Sequence, residues 1–338
     1  MQLSACPRSS RALLNGVETL STDFHALDTQ FFQMISQDTL QRGVSVLKRT
    51  ITVRQPRRFR LPEKGEVISH GDRNYRIGEK LGRGGFGVVY ECSDEWGNAL
   101  VAKVILPHDR PYSEVRESWL QESGKLMDLR HPNITFVRDA FEHQDTFYLI
   151  IERCNFPLIQ VITSIGLDAE RWLPYVARDV LQALDYIHAH GYIHKDLHPG
   201  NVFVVESRQQ AAFIHRIVRS FKIGDLGLTR LETDSRAFQT RLAEWMRPPE
   251  LIDPRSFGAT GRQVDVYQAG LLLLSLLLKE IPYFTADEIV EGIPQAVAQD
   301  HASPYAPVIA RALRRHVQWR TPTALEFWRE ISAITNNS

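Results

Sequence analysis

Apolar and polar positions alternate with a period of two at several places between residues 75 and 155. YRIGEKL (75–81) and VVYECSD (88–94) read as two strands around a glycine-rich turn. NALVAKVI (98–105) is an apolar run broken by one lysine, and FYLIIERCN (147–155) reads as a strand entering a connection. Further on the period lengthens. RDVLQALDYIHAH (178–190) sets Val180, Leu184 and Ile187 on one helical face, and Gly191 ends that helix. AGLLLLSLLL (269–278) is apolar almost throughout, but too short to cross a bilayer. Segment 22–42 carries Phe24, Leu27, Phe31, Phe32, Met34 and Ile35 at helical spacing, with Ser21 or Thr22 as caps.

Against that pattern some residues stand out chemically. A lysine inside a strand, Lys103, needs a partner for its ammonium. LGRGGFGVVY (81–90) holds Gly82, Gly84 and Gly87 at G-x-G-x-x-G spacing, where missing Cβ atoms let a backbone approach phosphates. The same spacing occurs in dinucleotide-binding turns, but there a helix follows, and here a second strand does. HKDLHPGN (194–201) places Asp196 and Asn201 five residues apart, and IGDLG follows with Asp225. Asp196 suits proton acceptance from a hydroxyl. Asn201 and Asp225 suit metal ions against phosphate oxygens. Phosphoryl transfer asks for that set: positioning, a base and Mg²⁺.

In this order the strings resemble the catalytic loop H-R-D-L-x-x-x-N and the D-F-G motif of the eukaryotic-like (Hanks-type) protein kinase family. The resemblance covers about residues 70 to 335. It implies an α+β, two-lobed fold: a small antiparallel sheet with one helix over about 68–152, and a mainly helical lobe over about 153–335. Residues 1–67 remain as an extension with a helical segment and a basic stretch. ATP and Mg²⁺ are the implied cofactors. Leu81, Gly82, Gly84, Gly85, Phe86, Gly87, Val89 and Val101 would enclose the nucleotide. Lys103 would hold its phosphates, and Glu122, before the HPNI turn, would orient Lys103. Ile151 would stand behind the adenine, with the carbonyl of Glu152 and the N–H of Cys154 on its edge. Asp196 would be the base, with Asn201 and Asp225 as metal ligands. WMRPPEL resembles the A-P-E region and supplies Glu250, which the family pairs with a late arginine, here Arg320. QVDVYQAGLLLLSLL (263–277) resembles the helix that anchors the large lobe, from which Asp265 would support the catalytic loop, and the resemblance makes the apolar stretch 269–278 part of a core helix.

Four positions depart from the family. Lys195 replaces the arginine of H-R-D and loses its bidentate fork. His198 stands where serine/threonine kinases carry a lysine, Leu226 replaces the phenylalanine of D-F-G, and Ala243 replaces a threonine before A-P-E. DLHPGN is also similar to phosphotransferases acting on aminoglycosides or choline, which lack A-P-E and its arginine. The expectation is therefore an ATP-dependent protein kinase, serine/threonine in preference, autophosphorylating between 226 and 249 at Thr229, Thr233, Ser235 or Thr240. A small-molecule phosphotransferase and a pseudokinase scaffold are the rival readings.

Charge and composition change little. Forty basic and forty acidic residues give no net charge, so no specific nucleic-acid partner is implied. Cys6, Cys92 and Cys154 are too scattered for a disulfide framework or a zinc site, which points to a reducing, cytoplasmic setting. Delivery into another cell is compatible with that. No membrane span is expected. LSAC (3–6) lacks the flanks of an export signal, so Cys6 reads as an ordinary residue. The basic stretch 48–60 reads as a solvated linker or a charge-guarded edge, and alternatively as a dock for an acidic partner. SRQQAAFIHRIVRS (207–220) lengthens the connection between Asn201 and Asp225. It reads as a hairpin near the hinge side of the large lobe, a tolerated extension in preference to a docking site.

Overall fold

The computed structural model describes residues 59–338 except 84–86, 109, 212–213, 227–229, 232–245 and 338. Within helices and strands it leaves out the side chains of 118, 121, 122, 125, 208–211, 214–216, 230, 231 and 337. The helical pattern of 22–42, the residues Gly84, Gly85, Phe86 and Ala243, and the hydroxyls Thr229, Thr233, Ser235 and Thr240 lie outside the described residues. So does the basic stretch apart from its last two positions, of which Arg60 is paired with Glu66.

The alternating segments become an antiparallel sheet. Its strands are β1 (Val67–His70), β2 (Arg73–Arg83), β3 (Gly87–Asp94), β4 (Ala99–Ile105), β5 (Val137–His143) and β6 (Thr146–Glu152). They lie in the order β1-β2-β3-β4-β6-β5, and every neighbouring pair is antiparallel. One helix, α1 (Tyr112–Asp128), joins β4 to β5. Period-two alternation gives the sheet two different faces. Val88, Tyr90, Ala102, Val104, Tyr148 and Ile150 point into a small core of their own. Phe59 and Leu61 pack onto it, and Thr146 Oγ1 is hydrogen-bonded to the backbone of Arg60. Packing thus begins upstream of residue 68.

The opposite face carries Val89, Val101, Lys103, Leu149 and Ile151, aligned across β3, β4 and β6 by register. Leu149 belongs to the large core, which also takes in Trp119 and Leu126 of α1 and most apolar residues of the second lobe.

That lobe is built on helices α2 (Leu158–Ile162), α3 (Ala169–Ala189), α4 (Pro249–Ile252), α5 (Pro254–Phe257), α6 (Gln263–Leu278), α7 (Ala286–Glu291), α8 (Ile293–Asp300), α9 (Ala306–Ala312) and α10 (Ala324–Asn337). A three-stranded sheet, β10-β9-β7, joins β7 (Phe156–Pro157) to the hairpin of β9 (Val202–Ala211) and β10 (Ile214–Ile223). The insert at 207–220 is therefore the far end of that hairpin. A two-stranded ribbon pairs β8 (Tyr192–Ile193) with β11 (Arg230–Leu231). Helix α6 is buried on all sides from Val264 to Leu277, with Asp265, Gln268 and Ser275 as the polar residues of that buried span. No helix among the described residues is long and apolar enough to cross a membrane.

Candidate active site

The sequence string HKDLHPGN forms a loop after β8, and its shape is set from below by two polar residues of α6. Asp265, fully buried, accepts from the backbone N–H of His194 (2.9 Å) and of Lys195 (2.7 Å), and from His188 Nε2 (2.7 Å). Burial would push its carboxyl up. The hydrogen bond and charge of His188, with His194 and the Lys195 N–H, outweigh that and hold it below the usual carboxylate range. Gln268, one turn on, accepts from Leu197 N–H (3.0 Å) and donates to the carbonyls of Lys195 (2.9 Å) and Met246 (3.3 Å). These bonds hold Lys195 at φ 73°, a left-handed conformation that costs a non-glycine residue energy.

Above this support, Asn201 Nδ2 donates to the Asp196 carbonyl (2.9 Å) and carboxylate (3.1 Å). The Asn201 backbone carbonyl accepts from Gly224 N–H (2.8 Å), which ties the loop to the segment carrying Asp225. His194 reinforces the tie: its Nδ1 accepts from Asp196 N–H (3.2 Å) and its Nε2 faces the Gly224 carbonyl (3.3 Å). Asp225 itself has φ 52° and meets Lys103 Nζ at 2.5 Å. Lys103 comes from β4, so this contact joins the two lobes. Leu226 is buried beside it, in a small cavity shared with Leu126, Val137, Leu149 and Ile151.

Burial pushes the Asp196 carboxyl up; His198 and His194 pull it back, and Asp225 adds to the rise. His198 stands with Nε2 4.0 Å from the Asp196 carboxylate. Its Nδ1 accepts from Gly200 N–H (3.0 Å), and burial lowers its pKa, so it is neutral with the proton on Nε2. A Cβ at Gly200 would lie 2.8 Å from that imidazole, so glycine is required beside it.

The nucleotide-enclosing residues are partly described. Gly82 pairs with Val89 across the β2–β3 turn, and a Cβ at Gly87 would lie 2.5 Å from the Val104 carbonyl, which explains glycine there. Leu81 is exposed, and Val89 and Val101 are half-buried. Glu122 is on α1, with its side chain outside those described. Glu152 ends β6 and Cys154 follows; burial, helped by Glu152, pushes the Cys154 thiol up to about 12, so it is no thiolate. The Glu152 carboxylate accepts from Phe136 N–H (2.7 Å) and from Lys222 (2.6 Å).

Away from the cleft, Arg320 and Glu250 form the expected pair. It is bidentate, at 2.6 and 2.8 Å, with both side chains fully buried. The remaining guanidinium hydrogens go to the carbonyls of Gln263, Arg314 and Arg315, and its plane lies over Tyr267.

The model of the protein kinase domain matches residues 75–327, three quarters of the chain. The chain belongs to the protein kinase family. Among similar proteins, calcium-dependent protein kinase 20 of Oryza sativa subsp. japonica is 30% identical over 66% of this chain and 39% of its own length. A probable serine/threonine-protein kinase PLK of Dictyostelium discoideum is 29% identical over 72% of this chain and 24% of its own. A probable serine/threonine-protein kinase PknB of Lactococcus lactis is 27% identical over 78% of this chain and 42% of its own. The chain thus spans less than half the length of these relatives. Its two-lobed architecture is the one the motifs imply. Three residues that help to build this site are not signalled by any motif: His188, Gln268 and Lys222. The first two were legible only as polar residues interrupting apolar helical patterns.

Proposed function

We propose that this chain is an active, ATP-dependent protein kinase that phosphorylates protein hydroxyls, serine and threonine in preference. The observation that carries the reading is the convergence of Lys103, Asp196, Asn201 and Asp225 on one cleft between the lobes. The donor set fits the implied metal. Asn201 spends its amide hydrogens on Asp196, which leaves its side-chain oxygen Oδ1 as a ligand, and Asp225 adds a carboxylate. Hard oxygen ligands of this kind suit Mg²⁺. When bound, Mg²⁺ would neutralise charge developing on the phosphates.

The chain's own residues do the rest. Lys103 moves from Asp225 to hold nucleotide phosphate, with Glu122 as its orienting partner. The β2–β3 turn, from Leu81 and Gly82 through Gly84, Gly85 and Phe86 to Gly87, covers the phosphates. Val89 and Val101 flank the base, and the Glu152 carbonyl and Cys154 N–H read its edge. Asp196 orients the substrate hydroxyl and takes its proton; its raised carboxyl pKa makes that transfer easier than for an ordinary aspartate. His198 offers a neutral donor beside it in place of a lysine.

The buried Glu250–Arg320 pair favours a protein substrate over a small molecule, because small-molecule phosphotransferases lack it. The names of relatives that specify serine/threonine favour that residue class. The kinase domain is taken to begin with the packed residues just before β1, with the preceding residues as an extension that could dock an acidic partner. Mass spectrometry after incubation with Mg·ATP and a generic protein substrate tests the reading. New phosphoserine or phosphothreonine, on the substrate and between residues 226 and 249, is expected. Phosphate on a hydroxylated metabolite alone, or nucleotide binding without transfer, would overturn it.

A further inference from the structure

The connection after β6 holds its first residue in an unusual way. Phe136 lies opposite Glu152, one step beyond the Val137–Ile151 pair of β5 and β6. In an antiparallel ladder a bonded pair exchanges two bonds, each N–H meeting the other residue's carbonyl. Here only the first is made: Glu152 N–H donates to the Phe136 carbonyl (3.0 Å). Phe136 N–H donates instead to Oε1 of the Glu152 side chain (2.7 Å). The carboxylate thus takes the donor that would close on its own residue's carbonyl. The N–H and C=O of one strand residue point to the same side, so the Glu152 carbonyl is turned toward Phe136 and off β4. Among the described residues no side chain or loop N–H donates to it, which leaves it as an acceptor.

Lys222 fixes the carboxylate in this role. Its Nζ donates to the same Oε1 (2.6 Å), and its side chain is only 16% exposed. A lysine so covered is costly unless its charge is met, which sets this pair apart from the ion pairs of the surface. Lys222 and Phe136 also share one frame. Ile223 N–H donates to the Asn133 carbonyl and Thr135 N–H to the Ile223 carbonyl, each at 2.8 Å. The neighbouring residues of the connection are held by other bonds. Arg153 meets Glu91 of β3 (2.8 Å), Asn155 N–H donates to the Val204 carbonyl (3.0 Å), and Asn155 Oδ1 accepts from Glu206 N–H (2.8 Å). Loss of the Lys222 contact therefore frees the Glu152 side chain and little else.

We propose that the Glu152 carboxylate shields its own residue's carbonyl for an amino group on a nucleobase, and that Lys222 is the positioning residue that keeps the shield in place. This rests on the reading of the cleft as an ATP site. Adenine carries a 6-amino donor where guanine carries a 6-oxo acceptor. An unspent carbonyl pairs with the first and is left facing an acceptor by the second. Without the carboxylate, Phe136 N–H is free to close the ladder on the Glu152 carbonyl. The site then loses its preference for the amino purine while its hold on phosphate stays.

The test is titration calorimetry of Mg·ADP and Mg·GDP on the full chain, beside steady-state kinetics with ATP. The parent is expected to bind ADP at least tenfold more tightly than GDP. Glu152→Ala should weaken ADP by about tenfold, the scale of one hydrogen bond, and GDP by less than twofold. Lys222→Met keeps the stem and removes the donor; it should raise KM for ATP about fivefold with kcat within twofold, and Lys222→Arg should restore the parent's KM. Because Lys222 acts through Glu152, adding Lys222→Met to Glu152→Ala should change nothing further. A parallel loss of ADP and GDP overturns the proposal, because it marks a merely structural role. So does an additive double variant, which would put Lys222 on the nucleotide itself. A parent that binds neither nucleotide overturns the ATP-site reading along with the shield. A parent that prefers ADP, with Glu152→Ala and Lys222→Met unchanged from it, overturns the shield alone.

Discussion

Two ion pairs divide the labour of this kinase domain. Glu250–Arg320 is closed: both side chains are fully buried, and all the arginine's directions are taken up. Lys103–Asp225 is open: the lysine is nearly buried, but the aspartate is 39% exposed in the cleft. The closed pair has nowhere to go, since either charge alone would be stranded without water. The open pair has an exit, since under the proposed function each partner would have a second use, Lys103 on nucleotide and Asp225 on metal. Burial on both sides therefore marks an ion pair as architecture, and burial on one side marks it as apparatus.

The sharpest way to break the comparison is to cut each pair from one side. Glu250→Ala or Arg320→Ala should cost about 3–5 kcal/mol of stability, because a buried charge is left unpaired. Denaturant midpoints check this, and midpoints equal to the parent's would refute a closed pair. Lys103→Met and Asp225→Asn should do the reverse: turnover falls by roughly 10²–10³, the scale of losing one transition-state contact, with little change in stability. Turnover within tenfold of the parent in both would reject the site assignment.

Asp265 tests an intermediate case, a buried charge that serves the site only by support. Its carboxyl is depressed in the folded state. Its contribution is thus present above the unfolded value, about 3.9, and lost as pH falls through the lower folded value. Asp265→Asn should cost about 1–3 kcal/mol at neutral pH and make the loss of stability on acidification shallower. Urea titrations at neutral pH and in the acid range measure both. An unchanged acid slope would mean that another group controls it. The smallest effect belongs to Arg329–Glu326, exposed on α10 at 3.3 Å. Arg329→Ala should shift stability by no more than about 0.5 kcal/mol, and a larger loss would undo the claim that burial decides.

Much of this was legible in the order of residues. The alternation over 75–155 gave β2, β3, β4 and β6, and the spacing from Asp196 to Asn201 and on to Asp225 picked out residues that the fold brings together in the candidate site. Glu250 and Arg320 could be matched seventy positions apart because each sits in its own recognisable string. What the sequence hid has a common cause. Gln268 reads as one polar interruption in an apolar helix, and only the fold shows that a bent loop needs its carbonyl and amide. Lys222 meets Glu152 because a strand and a hinge converge, which no local spacing encodes. Strand β1 was missed because most of its residues are exposed, so little alternation marks it.

The large core does not stop at the boundary between the lobes. Trp119 and Leu126 of α1 and Leu149 of β6 belong to the same apolar cluster as α3 and α6, while the other face of the sheet packs on a separate one. Any closure of the cleft would therefore have to carry these packed side chains past one another, as in shear motions. Opening and closing of the cleft would then be graded by packing at Leu126 and Leu149, and a change of one methyl group at either position would retune it from outside the chemistry.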